Sequence, residues 1–299
     1  MKKCVVAVLG GDKRMDFAAC ELERAGYEVR EWGRCKSDDS AAFLSGAREW
    51  LSSVDAIMLP LPASLDGIHL STPMLSSGNE VRMDSLFSVA TDKIWLVGRL
   101  GEALRLRAEQ EKIRLIDYFD NEILQLKNAI PTAEGAIEIA MRELPVVLDG
   151  TKVAVIGYGR IGEVLSAKLK SLGASVTVWA RRPEVCVRAE VMGHSSKQIV
   201  FEVQNESNLT FDRDTRVIFN TVPSRLLTRN VLERLERDCL IIDLASAPGG
   251  VDGESAKEFG IHSIWATALP GKCAPESAGV ILGQTVHSVL ANVNLRSDF

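Results

Sequence analysis

Thr151-Lys152-Val153-Ala154-Val155-Ile156-Gly157-Tyr158-Gly159-Arg160-Ile161-Gly162 reads as a short β-branched strand running straight into G-x-G-x-x-G. Apolar side chains then recur at 161, 164, 165, 169 and 172, the spacing of one helix face, and Gly173 stands where a glycine stops a helix. A second strand, Ser175-Val176-Thr177-Val178-Trp179, follows. Glycines at a strand-to-helix turn inside a βαβ unit are the arrangement that binds a dinucleotide. Gly157 permits the tight turn, Gly159 lets backbone approach a pyrophosphate, and Gly162 lets helix and strand pack closely. The helix N-terminus attracts the phosphates. The expected cofactor contacts here are Gly157, Tyr158, Gly159, Arg160, Ile161 and Gly162. A glycine-rich turn that binds nothing is the alternative.

The end of the second strand bears on which dinucleotide. An NAD site usually carries Asp or Glu there for the ribose 2′-hydroxyl. This chain has Ala180, followed by Arg181 and Arg182. No carboxylate repels a 2′-phosphate, and two guanidiniums could grip one, so NADP is expected over NAD. Two solvated surface arginines are the plainer reading.

A chain of 299 residues suggests about two domains. Its 46% apolar and 25% charged residues describe an ordinary globular protein, and a net charge of −5 argues against nucleic acid as the main partner. The six cysteines form no C-x-x-C, no Cys/His cluster has zinc spacing, and no metal site is expected. The apolar run Cys4 to Leu9 is too short for a signal-peptide core, and no later run could span a membrane. A cytoplasmic location is the expectation.

Val5 to Leu9 is a first strand, breaking at Gly10-Gly11-Asp12; a helix follows, with Met15, Ala18, Ala19 and Leu22 on one face and Gly26 as its stop. This opening lacks the third glycine, so a loop that feeds substrate is favoured over a second nucleotide site. Strands at 56–59, 94–97 and 113–116 alternate with helices at 41–52 and 100–111, while 63–80 form a long irregular stretch at a strand end. Pro131-Thr132-Ala133-Glu134-Gly135 is expected to open a linker helix, with Thr132 as its N-cap and a helix N-terminus able to hold a carboxylate. Buried strands at 217–220 and 240–243 end in small polar loops, so Asn220, Thr221, Val222 and Pro223 are expected beside the cofactor. A closing helix from 275 onward is expected to return to the first domain.

The expected fold is α/β: two doubly wound parallel-sheet, Rossmann-like domains joined by two linking helices. The boundaries are 1–128 for a substrate and catalytic domain, 129–146 for the linker helix, 147–274 for the NADP domain and 275–299 for the returning helix. The two linking helices are expected to act as a hinge for a cleft between the domains.

Gly10-Gly11-Asp12, Pro131 to Gly135, Gly157 to Gly162, Asp243-Leu244-Ala245-Ser246-Ala247-Pro248-Gly249-Gly250 and Leu269-Pro270-Gly271-Lys272-Cys273-Ala274-Pro275 occur in an order that resembles the dipicolinate synthase A-subunit family. The linker-helix and D-L-A-S-x-P-G-G segments are its specific parts. The resemblance implies a cytoplasmic protein of spore-forming bacteria that oxidises dihydrodipicolinate to dipicolinate with NADP, together with a flavoprotein-like B-subunit of dipicolinate synthase. A homo-oligomer stays open.

Such a reaction sends a hydride to the nicotinamide and a proton to a base, while the site holds two carboxylates. Candidates for the grip are Arg14 and Asp12 at the first glycine loop, Thr132, Ser246 and Lys272; Glu134 and Asp243 are candidate bases, with water as the alternative. Each has a bland reading as a surface charge, cap or turn residue. A 2-hydroxyacid-dehydrogenase-like enzyme would need a His acid/base and a substrate Arg, and none of His69, His194, His262 and His287 lies in the loop 266–275. A non-catalytic NADP-binding regulatory protein remains the reading from another class, separable by a turnover assay.

Overall fold

The structure, a computed structural model, describes residues 3–200 and 209–297. In chain order the elements are β1 (Val5–Leu9), α1 (Arg14–Arg24), β2 (Glu28–Trp32), α2 (Ser40–Ser52), β3 (Ala56–Met58), α3 (Met83–Val89), β4 (Ile94–Val97), α4 (Glu102–Gln110), β5 (Arg114–Asp117) and α5 (Glu122–Glu143). Then come β6 (Lys152–Ile156), α6 (Arg160–Ser171), β7 (Ser175–Ala180), α7 (Pro183–Val191), β8 (Ser195–Gln198), β9 (Thr215–Asn220), α8 (Arg229–Leu232), β10 (Leu240–Asp243), α9 (Gly253–Phe259), β11 (Ser263–Trp265), α10 (Leu269–Cys273) and α11 (Pro275–Ser297). They divide into two units. One comprises the residues up to Asn128 together with those from Ala274 onward; the other is the continuous stretch Ala129–Cys273.

The first unit is built on a parallel sheet of order β2-β1-β3-β4-β5. β1 and β3 are buried along their whole length, which is why both read as unbroken apolar runs. Phe43, Leu51, Phe87 and Trp95 cover one face. Met15, Ala18 and Leu22 of α1, with Leu282, Val286 and Leu290 of α11, cover the other. The approach of α11 depends on two glycines: a Cβ at Gly279 would strike the carbonyl oxygen of Arg14, and one at Gly283 would lie 2.8 Å from that of Ala18.

The second unit carries a parallel sheet of order β11-β10-β9-β6-β7-β8. The chain starts at β6, builds outward through β7 and β8, then crosses to β9 on the other side. The crevice at the carboxyl ends of β6 and β9 is therefore the topological switch point, where ligands of open α/β sheets bind. In the first sheet the equivalent point lies between β1 and β3.

One boundary departs from the reading of the sequence. The helix expected to open at Pro131 already begins at Glu122 in α5, where the Asn121 side chain caps it by accepting the Leu124 N–H at 3.1 Å. Pro131 lies inside the helix. An interior proline costs about 3 kcal/mol, and the alanines beyond it, Ala133, Ala136 and Ala140, are fully buried in the core of the second unit. Thr132 is thus a buried residue in the middle of a helix and not an N-cap; no helix N-terminus stands there to hold a carboxylate.

Candidate functional site

A cavity of about 400 Å³ opens at the switch point of the second sheet. It is lined by Gly157, Tyr158 and Gly159 after β6, Ala180, Arg181 and Arg182 after β7, and Thr221, Val222 and Pro223 after β9. Gly157 has φ +93°, and a Cβ there would collide with the Thr221 hydroxyl, which itself donates to the Ile156 carbonyl at 2.9 Å. A Cβ at Gly162 would collide with the Gly157 carbonyl. These two glycines are needed by the turn itself. Gly159 is different: a Cβ there would meet nothing within 4 Å, and it precedes the first turn of α6. That open space beside a positive helix end is what a pyrophosphate requires.

The residues around the second ribose position also agree with an anionic group. Arg182 immediately precedes α7 and pairs loosely with Glu184 at 3.3 Å, both side chains being largely exposed. Arg181 is exposed and makes no ion pair among the described residues. Among the described residues, no carboxylate lines the cavity.

Four expected cofactor contacts are placed otherwise. Arg160, Ile161 and Gly162 form the first turn of α6 and do not line the cavity. Asn220 is fully buried: its amide donates to Asp243 at 2.8 Å and to the Val222 carbonyl at 3.0 Å. It ties the end of β9 to the end of β10 because a buried amide must find partners. Asp243, a candidate base, is the other half of that tie. It also accepts the N–H groups of Ala245 and Gly250, at 3.1 and 2.7 Å. Its oxygens are engaged in holding the loop that contains Ser246, whose own carbonyl closes a turn to Gly249. Glu134 does not line the cavity: it pairs with Lys168 of α6 at 2.8 Å in a shallow groove with Met141 and Leu172. Lys272 is an exposed residue of α10.

In the first unit the loop after β1 is closed by the protein's own chain. Gly11 donates its N–H to the Ser71 carbonyl at 2.8 Å, and a Cβ at Gly10 or Gly11 would meet Ser71 and Thr72, or Met15 and Pro60. This leaves no room above the glycines for a second pyrophosphate. Arg14, a candidate for the carboxylate grip, is buried at 7% exposure and bidentate to Asp12, with both outer contacts at 2.8 Å; it also donates to the Leu61 carbonyl at 2.6 Å. The pair therefore spans the switch point between β1 and β3. Burial alone would raise the Asp12 pKa. The hydrogen bonds and charge of Arg14, with the charge of Arg34, outweigh it and hold the carboxyl below its ordinary value. Arg14 keeps Nη1 for another acceptor, since its other two nitrogens are taken.

Two features escaped the reading of the sequence. Arg34, after β2, is half-buried beside this pair and meets Asp16 and Glu31. Burial pushes its pKa down. In the loop after β3, His69 Nδ1 lies 2.6 Å from Asp66 Oδ2. The only available signal was D-x-x-H in a stretch without periodicity.

The first unit matches the model of the N-terminal domain of the dipicolinate synthase A-subunit over residues 5–119. Over 96% of each chain, the protein is 28% identical to the dipicolinate synthase A-subunit of Bacillus subtilis (strain 168). The crystal structure of the dipicolinate synthase A-subunit from Bacillus halodurans is similar at a TM-score of 0.81 and 27% identity, covering 96% of this chain and 98% of that one. A transhydrogenase from Sinorhizobium meliloti shares the fold at a TM-score of 0.63 and 14% identity, covering 97% and 94%. No helix among the described residues is long and apolar enough to cross a membrane. The N-terminal match, a full-length relative and a full-length structural likeness agree: the chain is similar over nearly its whole length to dipicolinate synthase A-subunits.

Proposed function

We propose that this chain is an NADP-dependent oxidoreductase that converts dihydrodipicolinate to dipicolinate, working with a second protein, the B-subunit of the synthase. The observation that carries the reading is the open cavity at the β6/β9 switch point, with vacant space at Gly159 and arginines in place of a strand-end carboxylate. The residues fit the cofactor: the Gly157–Gly162 turn would hold the pyrophosphate, Arg181 and Arg182 the 2′-phosphate, and Thr221, Val222 and Pro223 the nicotinamide side. The nicotinamide supplies a hydride acceptor. The names of the relatives, each one subunit of a synthase, support a partner protein.

The chain's own groups then hold a dicarboxylate and take up one proton. Arg14, aligned by Asp12, is the candidate for one carboxylate through Nη1. Ser246 and Lys272 remain candidates in the second unit, and the buried Thr132 loses the anion-binding argument made for it. The reading is tested by calorimetric titration with NADP and NAD, and by following NADPH formation from dihydrodipicolinate with and without the partner protein. Equal affinity for the two cofactors would overturn the NADP assignment. Absence of turnover under both conditions would overturn the reaction.

A further inference from the structure

One cation outside the cavity converges on the glycine turn, and all of its contacts lie within the second unit. Tyr158, between the first two glycines of the fingerprint, is buried at 4% exposure. Arg188, on α7, lies over the Tyr158 ring at 5.5 Å from its centroid and donates through Nη2 to the Tyr158 carbonyl at 2.9 Å. The His194 ring meets the same tyrosine edge-on at 6.0 Å. A charge-assisted hydrogen bond and a cation–π contact thus meet on one residue of the turn. Arg188 itself does not line the cavity, so whatever it does there it does through the turn.

A third contact shows why a cation is needed. Glu163 stands in the first turn of α6 and donates its N–H to the Gly159 carbonyl at 2.9 Å. A carboxylate in a first turn suits the helix dipole, but it repels an anion brought to the same helix end. Arg188 Nη2 lies 3.5 Å from the Glu163 carboxylate. Both side chains are about half exposed, so the pair contributes little to stability. Its effect is local: the guanidinium offsets the negative charge beside the open space at Gly159 and leaves the positive end of α6 to act on a ligand.

We propose that Arg188 is a positioning residue for the diphosphate of the cofactor, fixing the Tyr158 carbonyl of the turn and offsetting the carboxylate of Glu163. The inference rests on the cofactor reading above. It assigns Arg188 to the diphosphate, which NAD and NADP share, and so separates it from Arg181 and Arg182, which are assigned to the 2′-phosphate.

The experiment is calorimetric titration of the full chain with NADP, NAD, and two fragments: ADP, which carries the diphosphate, and 2′-AMP, which carries only the 2′-phosphate. Arg188→Gln should weaken NADP, NAD and ADP each about tenfold, the order expected for one lost hydrogen bond from a charged group, and leave 2′-AMP unchanged. Arg181→Ala should show the reverse pattern, losing 2′-AMP and keeping ADP. In the double variant Glu163→Gln/Arg188→Gln, part of the ADP affinity should return, which a merely structural arginine would not allow. Glu163→Gln alone keeps the contacts of Arg188 to the turn and should tighten ADP about threefold, an effect that salt should diminish. Equal losses of ADP and 2′-AMP in Arg188→Gln, or no loss of ADP, would overturn the assignment. Unchanged ADP affinity in Glu163→Gln with no recovery in the double variant would overturn the charge offset. A wild type that binds neither NAD nor NADP would overturn the inference together with the cofactor reading.

Discussion

A Cβ added at Gly159 would meet nothing within 4 Å, whereas one added at Gly11 would collide with Met15 and lie 2.9 Å from Pro60. Both residues follow a buried parallel strand and lead into a helix whose packed face is apolar. In the second unit the turn leaves a vacancy and the neighbouring strand ends line it. In the first, Ser71, Thr72 and Pro60 have filled the same kind of vacancy with protein. A glycine after a strand thus carries two meanings. It makes room for a ligand only where no other segment of the chain has already used that room.

The comparison is broken most directly at Gly11. Gly11→Ala, at φ +90° and against Met15, should destabilise the protein by about 2–4 kcal/mol through strain and overpacking, with NADP affinity intact in the folded fraction. Denaturant unfolding and cofactor titration measure the two effects separately. Next in size is Arg181→Ala, which should weaken NADP by about 1.5–3 kcal/mol and leave NAD nearly unchanged, as expected for a lost charge-assisted hydrogen bond. Equal losses for both cofactors would place Arg181 away from the 2′-phosphate.

Gly159→Ala is the mirror of Gly11→Ala. Its backbone at φ −91° suits any residue, so stability should hold while cofactor affinity falls about tenfold, or about 1.4 kcal/mol, because the methyl group enters the phosphate's space. A stable variant with unchanged affinity would refute the vacancy argument. The smallest effect belongs to the Asp12–Arg14 pair. The folded pKa of Asp12 lies below its ordinary 3.8, so its contribution is present above about pH 4 and lost as pH falls through the lowered value. The stability difference between wild type and Asp12→Asn should be about 1 kcal/mol at pH 6, modest because the carboxylate is one-third exposed, and should shrink on acidification.

The two sheets were legible because their central strands, β1, β3, β6, β9 and β10, are almost wholly buried and read as apolar runs. The fingerprint was legible because its glycines fall at fixed offsets. β8, Ser-Ser-Lys-Gln, has no alternation to detect and exists by pairing with β7 at the sheet edge. α5 was shortened in the reading because Pro131 followed by Thr132 is what a helix start looks like, and only the tertiary core reveals the helix running through it. Asn220 looked like a ligand contact because sequence position shows that a residue follows a strand, but not what else it touches. His69 was weighed against the 266–275 loop of the second unit, while its partner Asp66 stood three residues away in an irregular stretch of the first.

The fold of the first unit is interrupted by the whole of the second, and this bears on its birth at the ribosome. Domains fold as units as they emerge. Here the continuous stretch Ala129–Cys273 is complete while the earlier unit still lacks α11. Until Leu282, Val286 and Leu290 arrive, Met15, Ala18 and Leu22 have no cover on that side. The first domain to be translated is therefore the last to be finished, and a stop codon near Ala274 would strip it of a wall while leaving the sheet of the second unit whole.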